Sequence, residues 1–202
     1  TVAVNLGLLC VFKYAGFAVA TLNSLGISLP VPEIALPVGI SFFTFQGLSY
    51  VIDCYRDRTL ISRSLLKLAL YISFFPQLIA GPIVKYHDVS LQIDSRETNP
   101  TLTAQGIRRF IVGLSKKLLI ANTVGRMADL AFGAGSALDI RSAWLGALCY
   151  CLQIYFDFSG YSDMAIGLGK MFGFSFQENF NYPFASGSIQ EFWRRWHISL
   201  ST

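Results

Sequence analysis

Charge is what this sequence has least of. Only 14% of its 202 residues are Asp, Glu, Lys or Arg, against about a quarter in soluble globular domains. With 53% hydrophobic residues and a mean hydropathy of +0.49, the chain has too little polar surface for a water-soluble core. The composition points to an integral membrane protein. Its length allows about half a dozen spanning segments at roughly 20 residues each plus loops. The net charge is +4, and in a membrane protein Lys and Arg collect in cytoplasmic loops, so no nucleic-acid partner is expected. Cysteines are also few. Cys10, Cys54, Cys149 and Cys151 contain no CxxC, which excludes a paired-CxxC zinc site, and no metal is expected. All but Cys54 lie in apolar runs and read as buried small apolar residues. GxSxG, P-loop, HExxH and GxGxxG motifs are missing. No secretory signal pattern is visible. The sequence starts with Thr1 inside an apolar run and stops inside an apparent helix. It is therefore expected to be a single membrane domain over 1–202, an internal fragment of a longer protein.

What is present is apolar and interrupted. The first run, Val2 to Leu22, carries Lys13 beside Tyr14, a lysine able to snorkel. The second, Ile34 to Ile52, has no charge and is expected to span, with a break near Pro37 and Gly39. The third, Leu65 to Val84, contains "FFPQLIAGPIV". Two prolines and a glycine there predict a helix breaking into a re-entrant or cavity-lining segment. Residues 85–100 read as a loop, with His87 solvated in it. In "TAQGIRRFIVGLSKKLLIAN", Ile107, Phe110, Ile111, Leu114 and Leu118 recur at helical spacing, while Arg109 and Lys116 share another face. This predicts a basic amphipathic helix, either lying in the membrane interface, the favoured reading, or forming a tilted span with snorkelling ends. The expected fold is all-α, a polytopic transmembrane helical bundle.

Two polar clusters stand out against this background. Tyr150, Gln153, Asp157 and Tyr161 are spaced three, four and four apart. On one helix they form a stripe facing a bundle interior or an aqueous path, or one that makes interhelical hydrogen bonds. Asp163 reads as a helix cap. The second cluster is "EFWRRWHISLST", Glu191 to Thr202. Ser188 and Glu191 fit a capping box, which starts the last helix near Ile189. Ile189, Phe192, Trp193, Trp196 and Leu200 then form one stripe bordered by His197, with Glu191 and Arg195 an i,i+4 pair elsewhere. His197 reads either as a hydrogen-bonded core histidine or as a functional group, since ionisable residues at membrane depth are expensive.

The blocks "LPVGISFFTFQGLSYVIDCYR" (36–56), "FFPQLIAGPIVKYHD" (74–88), "YFDFSGYSDMAIGLGKMFGF" (155–174) and "ENFNYPFASGSIQEFWRRWHISLS" (178–201) resemble the membrane-bound O-acyltransferase superfamily, in particular its alginate O-acetyltransferase membrane-subunit branch. The resemblance implies a ring of membrane helices with re-entrant and interfacial segments around a funnel. It implies O-acetyl transfer to hydroxyls of an extracytoplasmic polysaccharide such as alginate. It places the chain in a bacterial cytoplasmic (inner) membrane as a multi-pass protein, contacting lipid and extracytoplasmic acetylation partner proteins. No covalently bound cofactor is implied, and the acyl donor is left open. His197 matches the first of two family histidines and is the expected catalytic residue here. The second, in a Trp-His-Gly context, is missing from the sequence, so the fragment is expected to be inactive alone. Trp193, Trp196, Asp157, Gln153, Tyr161 and Asn181 are the expected substrate-binding or cavity-lining residues. Without the resemblance, the intramembrane Asp157 and the broken third run fit a transporter or channel.

Overall fold

Glycine and proline decide where the helices start and stop. The computed structural model describes residues 1–37, 39–78, 81–135 and 138–201. Among these, all regular structure is helical, apart from one isolated antiparallel bridge between Phe180 and Trp196. The chain divides into two units, Thr1–Ile79 with Lys85–Asp94, and Ala80–Val84 with Ser95–Thr202.

In the first unit, α1 (Val2–Ser24) buries none of its residues. Among the described helices it alone is long and apolar enough to cross a membrane by length and composition. The expected span over Ile34 to Ile52 is not a single helix. Residues 34–37 are not helical, and α2 (Ile40–Arg56) starts at Gly39. That glycine has φ +78°, and a Cβ there would lie 2.8 Å from the Leu78 carbonyl oxygen, so only glycine fits the turn. The third run breaks as its prolines require. The helix α3 (Leu65–Ser73) gives way to an extended Phe74 and a 3₁₀ turn over Phe75–Gln77. Gln77 is buried and donates Nε2 to the Tyr71 carbonyl at 2.5 Å.

The segment read as a loop after Lys85 instead forms α4 (Tyr86–Asp94). Tyr86 packs edge-on against Tyr50 and Tyr71, with ring centroids 4.8 and 5.2 Å apart. Burying that ring against aromatic neighbours supplies the tertiary contact that overrides the polar composition of the segment. His87 is on this helix, half exposed. Its Nδ1 is 3.3 Å from Asp53 and its Nε2 2.9 Å from Asp88. Of the cysteines, Cys149 is buried, whereas Cys10 and Cys151 are exposed on apolar helices, against the expectation of burial.

The second unit is built on two long helices. One is α5 (Pro100–Ser115), continued by a π-helical segment (Lys116–Ala121) and by α6 (Asn122–Phe132). Asn99 caps it by accepting from Leu102 N at 2.8 Å, with Pro100 at the first helical position, the favoured start. The other is α7 (Ile140–Met171), capped by Asp139. They meet through glycines. A Cβ on Gly106 would lie 2.6 Å from the Gly167 carbonyl oxygen, and one on Gly113 2.5 Å from that of Gly160. The reverse substitutions meet Gly106 O at 2.7 Å and Gly113 O at 2.8 Å. Two glycines seven apart on α5 thus oppose two glycines seven apart on α7, and the backbones touch, as small residues allow in membrane helix pairs.

This packing inverts the expected orientation of the basic helix. Arg109 and Lys116 lie on its glycine face, packed on α7, while Ile107, Ile111 and Leu118 are exposed. The helix is therefore not one that turns its basic face outward to headgroups. Replacing Gly113 with Val should lower the unfolding temperature of the detergent-solubilised protein, since overpacking a close contact costs about 1–3 kcal/mol or more. Gly16→Ala, in the interior of α1 with nothing within 4 Å, should not lower it, since Ala is the better helix former.

Candidate functional site

Charge buried between α5 and α7 must be paired, and the pairing builds the site. Asp163, 5% exposed, accepts from Arg109 Nε at 2.7 Å and from Lys116 Nζ at 2.6 Å. It lies in the middle of α7 and so is not a helix cap. Arg109 also forks onto the Glu178 carboxylate, with Nη1 at 3.0 Å and Nη2 at 2.5 Å, a bidentate geometry that fixes direction as well as distance. The π-helical turn widens the helix just where Lys116 and Lys117 follow one another. Both reach α7: Lys116 pairs with Asp163, and Lys117 with Asp157, six residues earlier.

Beside this network is a cavity of about 560 Å³ lined by Arg109, Lys116, Asp163, Glu178, Asn179 and Tyr155, among others. Asn179 has no exposed surface. Its Oδ1 accepts from Ser199 N at 3.2 Å and from Ser199 Oγ at 2.9 Å. Its Nδ2, like the hydroxyls of the buried Ser159 and Ser162, has no partner among the described residues.

The last helix of the sequence reading is interrupted at the histidine. Helix α8 (Ile189–Arg195) starts as predicted: Ser188 Oγ accepts from Glu191 N at 3.2 Å, and Glu191 accepts from Gly187 N at 2.9 Å and pairs with Arg195 at 2.6 Å. Trp196 is then extended, His197 has φ +49°, and α9 (Ile198–Ser201) follows. A left-handed backbone at a non-glycine residue costs on the order of 1–3 kcal/mol and persists where its surroundings impose it. Those surroundings are the segment 179–181. Asn181 N donates to Arg195 O at 3.0 Å, Phe180 bridges Trp196, and Ile198 N donates to Asn179 O at 3.0 Å. Tyr182, with φ +46°, is the other non-glycine residue in this conformation among those described.

The break separates the aromatic stripe. Trp193 is exposed, as are Ile189 and Leu200. Trp196 turns into a cluster with Phe180 (5.1 Å, edge-on) and Phe192 (5.6 Å, stacked). His197 packs on Phe158, centroids 4.8 Å apart, with its Nδ1 buried and unpartnered among the described residues. Burial pushes this imidazole below the usual histidine pKa, which favours its neutral form near pH 7. His197 does not itself line the cavity, but its neighbours Ile198 and Asn179 do.

Of the other predicted residues, Asn181 lines the cavity. Gln153 packs over Gly125 of α6, where a Cβ would meet its Nε2 at 2.7 Å. Asp157 is spent on Lys117, and Tyr161 is half buried on α7. Tyr150, which begins the stripe, is exposed. Within the stripe, Gln153 and Asp157 thus make contacts between helices. Sequence reasoning missed Asn179, Ser199 and the convergence of Arg109, Lys116 and Glu178 on the cavity. The seven-residue spacing shared by Gly106/Gly113 and Arg109/Lys116 was the available signal.

Asp163→Asn should destabilise the protein by about 3–5 kcal/mol, because two cations lose their buried counter-charge. Lys117→Met, at a half-exposed pair, should cost about 0–1 kcal/mol. Thermal unfolding of the two variants side by side in one detergent checks the difference.

Comparison with known proteins places this arrangement in a family. Residues 6–202 match the model of the membrane-bound O-acyltransferase family, and the chain belongs to it. It is 50% identical over 206 aligned residues to the Azotobacter vinelandii protein named "Probable alginate O-acetylase AlgI", covering 100% of this chain and 41% of that protein. It is 37% identical to the "Peptidoglycan O-acetyltransferase" of Helicobacter pylori, over 98% of this chain and 43% of that protein. It is 30% identical to the "Teichoic acid D-alanyltransferase" of Bacillus subtilis, over 94% of this chain and 52% of that protein. The chain thus spans about two fifths to one half of the length of these relatives.

Proposed function

We propose that the chain forms part of a membrane O-acyltransferase that moves acetyl groups to hydroxyls of an extracytoplasmic polysaccharide such as alginate. The observation that carries this is His197, a half-buried imidazole whose Nδ1 is inaccessible, in a strained backbone turn whose neighbours Ile198 and Asn179 line a polar cavity, in a chain 50% identical along its whole length to a relative named for alginate acetylation. The relatives named for peptidoglycan and teichoic acid support a cell-surface polymer as the general acceptor class. The acyl donor is a separate small substrate, held without covalent attachment to the chain.

In this reading the acceptor hydroxyl oxygen bonds to the acyl carbon, and the bond from that carbon to the donor's leaving atom breaks. The hydroxyl proton passes through imidazole to the leaving atom. A sugar hydroxyl is a weak nucleophile, and a neutral imidazole within hydrogen-bonding reach removes that limit. The aromatic shell of Trp196, Phe180 and Phe158 keeps water from the acyl donor.

The long helices of the second unit cross a bacterial cytoplasmic membrane as part of a multi-pass bundle. At about 1.5 Å per residue, the 32-residue α7 is about 48 Å long, more than the roughly 30 Å hydrocarbon core. Its acids are neutralised by cations of the partner helix, while its exposed surface carries Trp144, Leu145 and Leu148. Partner proteins on the extracytoplasmic side receive or present the polymer.

Replacing His197 with Gln in the full-length protein should lower polymer acetylation about 100-fold or more. The acetyl content of the polymer, measured at matched membrane abundance, checks it. Near-normal acetylation would remove His197 from the reaction.

A further inference from the structure

We infer that Asn179 and Ser199 are positioning residues that hold His197 in its working conformation. The inference rests on the acyl-transfer reading above and adds to it a device that neither the motif nor the relatives' names assign. The backbone at His197 leaves the helix, because α8 stops at Arg195 and φ at residue 197 is +49°. The turn is fixed from outside, on both flanks. Before it, Arg195 O is held by Asn181 N. After it, Ile198 N is held by Asn179 O. The side chains complete the clamp: Asn179 Oδ1 takes both the amide and the hydroxyl of Ser199. The same hydroxyl accepts from Ile83 N at 2.9 Å, so Ser199 Oγ ties together three stretches distant in sequence. Asn179 is in turn adjacent to Glu178, which Arg109 grips with both terminal nitrogens.

Buried, directional hydrogen bonds are suited to this task. A proton-transfer group displaced by about 1 Å can lose on the order of 100-fold in rate while substrate binding is hardly touched. Both clamp residues are almost wholly inaccessible, Asn179 at 0% and Ser199 at 5%. Asn179 Oδ1 and Ser199 Oγ are committed to each other and to Ile83 N, so through these atoms they act on the His197 turn.

The test is a pair of double-variant cycles in the full-length protein. Membranes are supplied with isotopically labelled acetyl-coenzyme A and deacetylated alginate oligosaccharides. Asn179→Ala and Ser199→Ala are each measured alone and in a His197→Gln background, with residual turnover counted by the label. Each should lower kcat by about 10- to 100-fold in the native background, with KM for the acceptor within about twofold. In the His197→Gln background each should change turnover by less than about twofold, since the group they position is gone. Equal losses in both backgrounds, a change confined to KM, or no loss at all would overturn the inference. The two variants remove different amounts of buried surface, so if one does not accumulate, the other still decides the matter. Wild-type turnover in His197→Gln alone would contradict the reading of His197 itself, independently of what the clamp variants do.

Discussion

The close approach of α5 and α7 is the constraint on which the rest of the second unit depends. Gly106 against Gly167 and Gly113 against Gly160 bring the two backbones into contact. Any side chain at these four positions would push the helices apart. At this separation Arg109 and Lys116, on the same face as the glycines, reach Asp163 directly. Arg109 still has two nitrogens for Glu178, and Glu178 leads into the segment that clamps the histidine turn. A wider spacing would leave a buried carboxylate and two cations partly unpaired, each expensive in a low dielectric. The glycines therefore act on His197 through a chain of polar contacts, though none of them touches it.

The unit also has its polarity reversed relative to a soluble helical hairpin. Arg109, Lys116 and Asp163 point into the α5–α7 contact, and Ile107, Ile111, Leu118, Leu145 and Leu148 point out. This arrangement suits lipid, where ionisable side chains face the bundle interior and pair with each other.

Much of this was legible before the structure, and what was not has identifiable causes. The all-helical class, the break in the third run, and the Ser188–Glu191 and Glu191–Arg195 contacts follow from local rules about proline, caps and i,i+4 neighbours. The histidine of the terminal motif stood out by its chemistry. The break at Trp196–His197 was hidden because no proline or glycine marks it. Hydrogen bonds from residues 179–181 impose it, and helical periodicity cannot see them. The glycine pairing was hidden for a similar reason: each glycine looks like a weak point in its own helix, and its purpose appears only when a second helix some fifty residues away carries the matching spacing. The basic face of α5 had the right residues but the wrong environment, since amphipathicity alone does not say whether the polar side meets water or a partner's acids.

The central claim is that the small and charged faces of α5 and α7 meet each other, with their apolar faces outward. It is tested most directly by replacing Cys10, Cys54, Cys149 and Cys151 with Ala and labelling single introduced cysteines with a thiol reagent dissolved in the bilayer. Ser162→Cys and Ala165→Cys are conservative changes at positions 2% exposed. Ile111→Cys and Leu148→Cys lie at positions 53% and 60% exposed. In native membranes, positions 111 and 148 should label while 162 and 165 stay protected until the protein is denatured. Labelling of 162 and 165 with protection of 111 and 148 would mean that the helices face the other way, and that the ion network does not form the core of this unit.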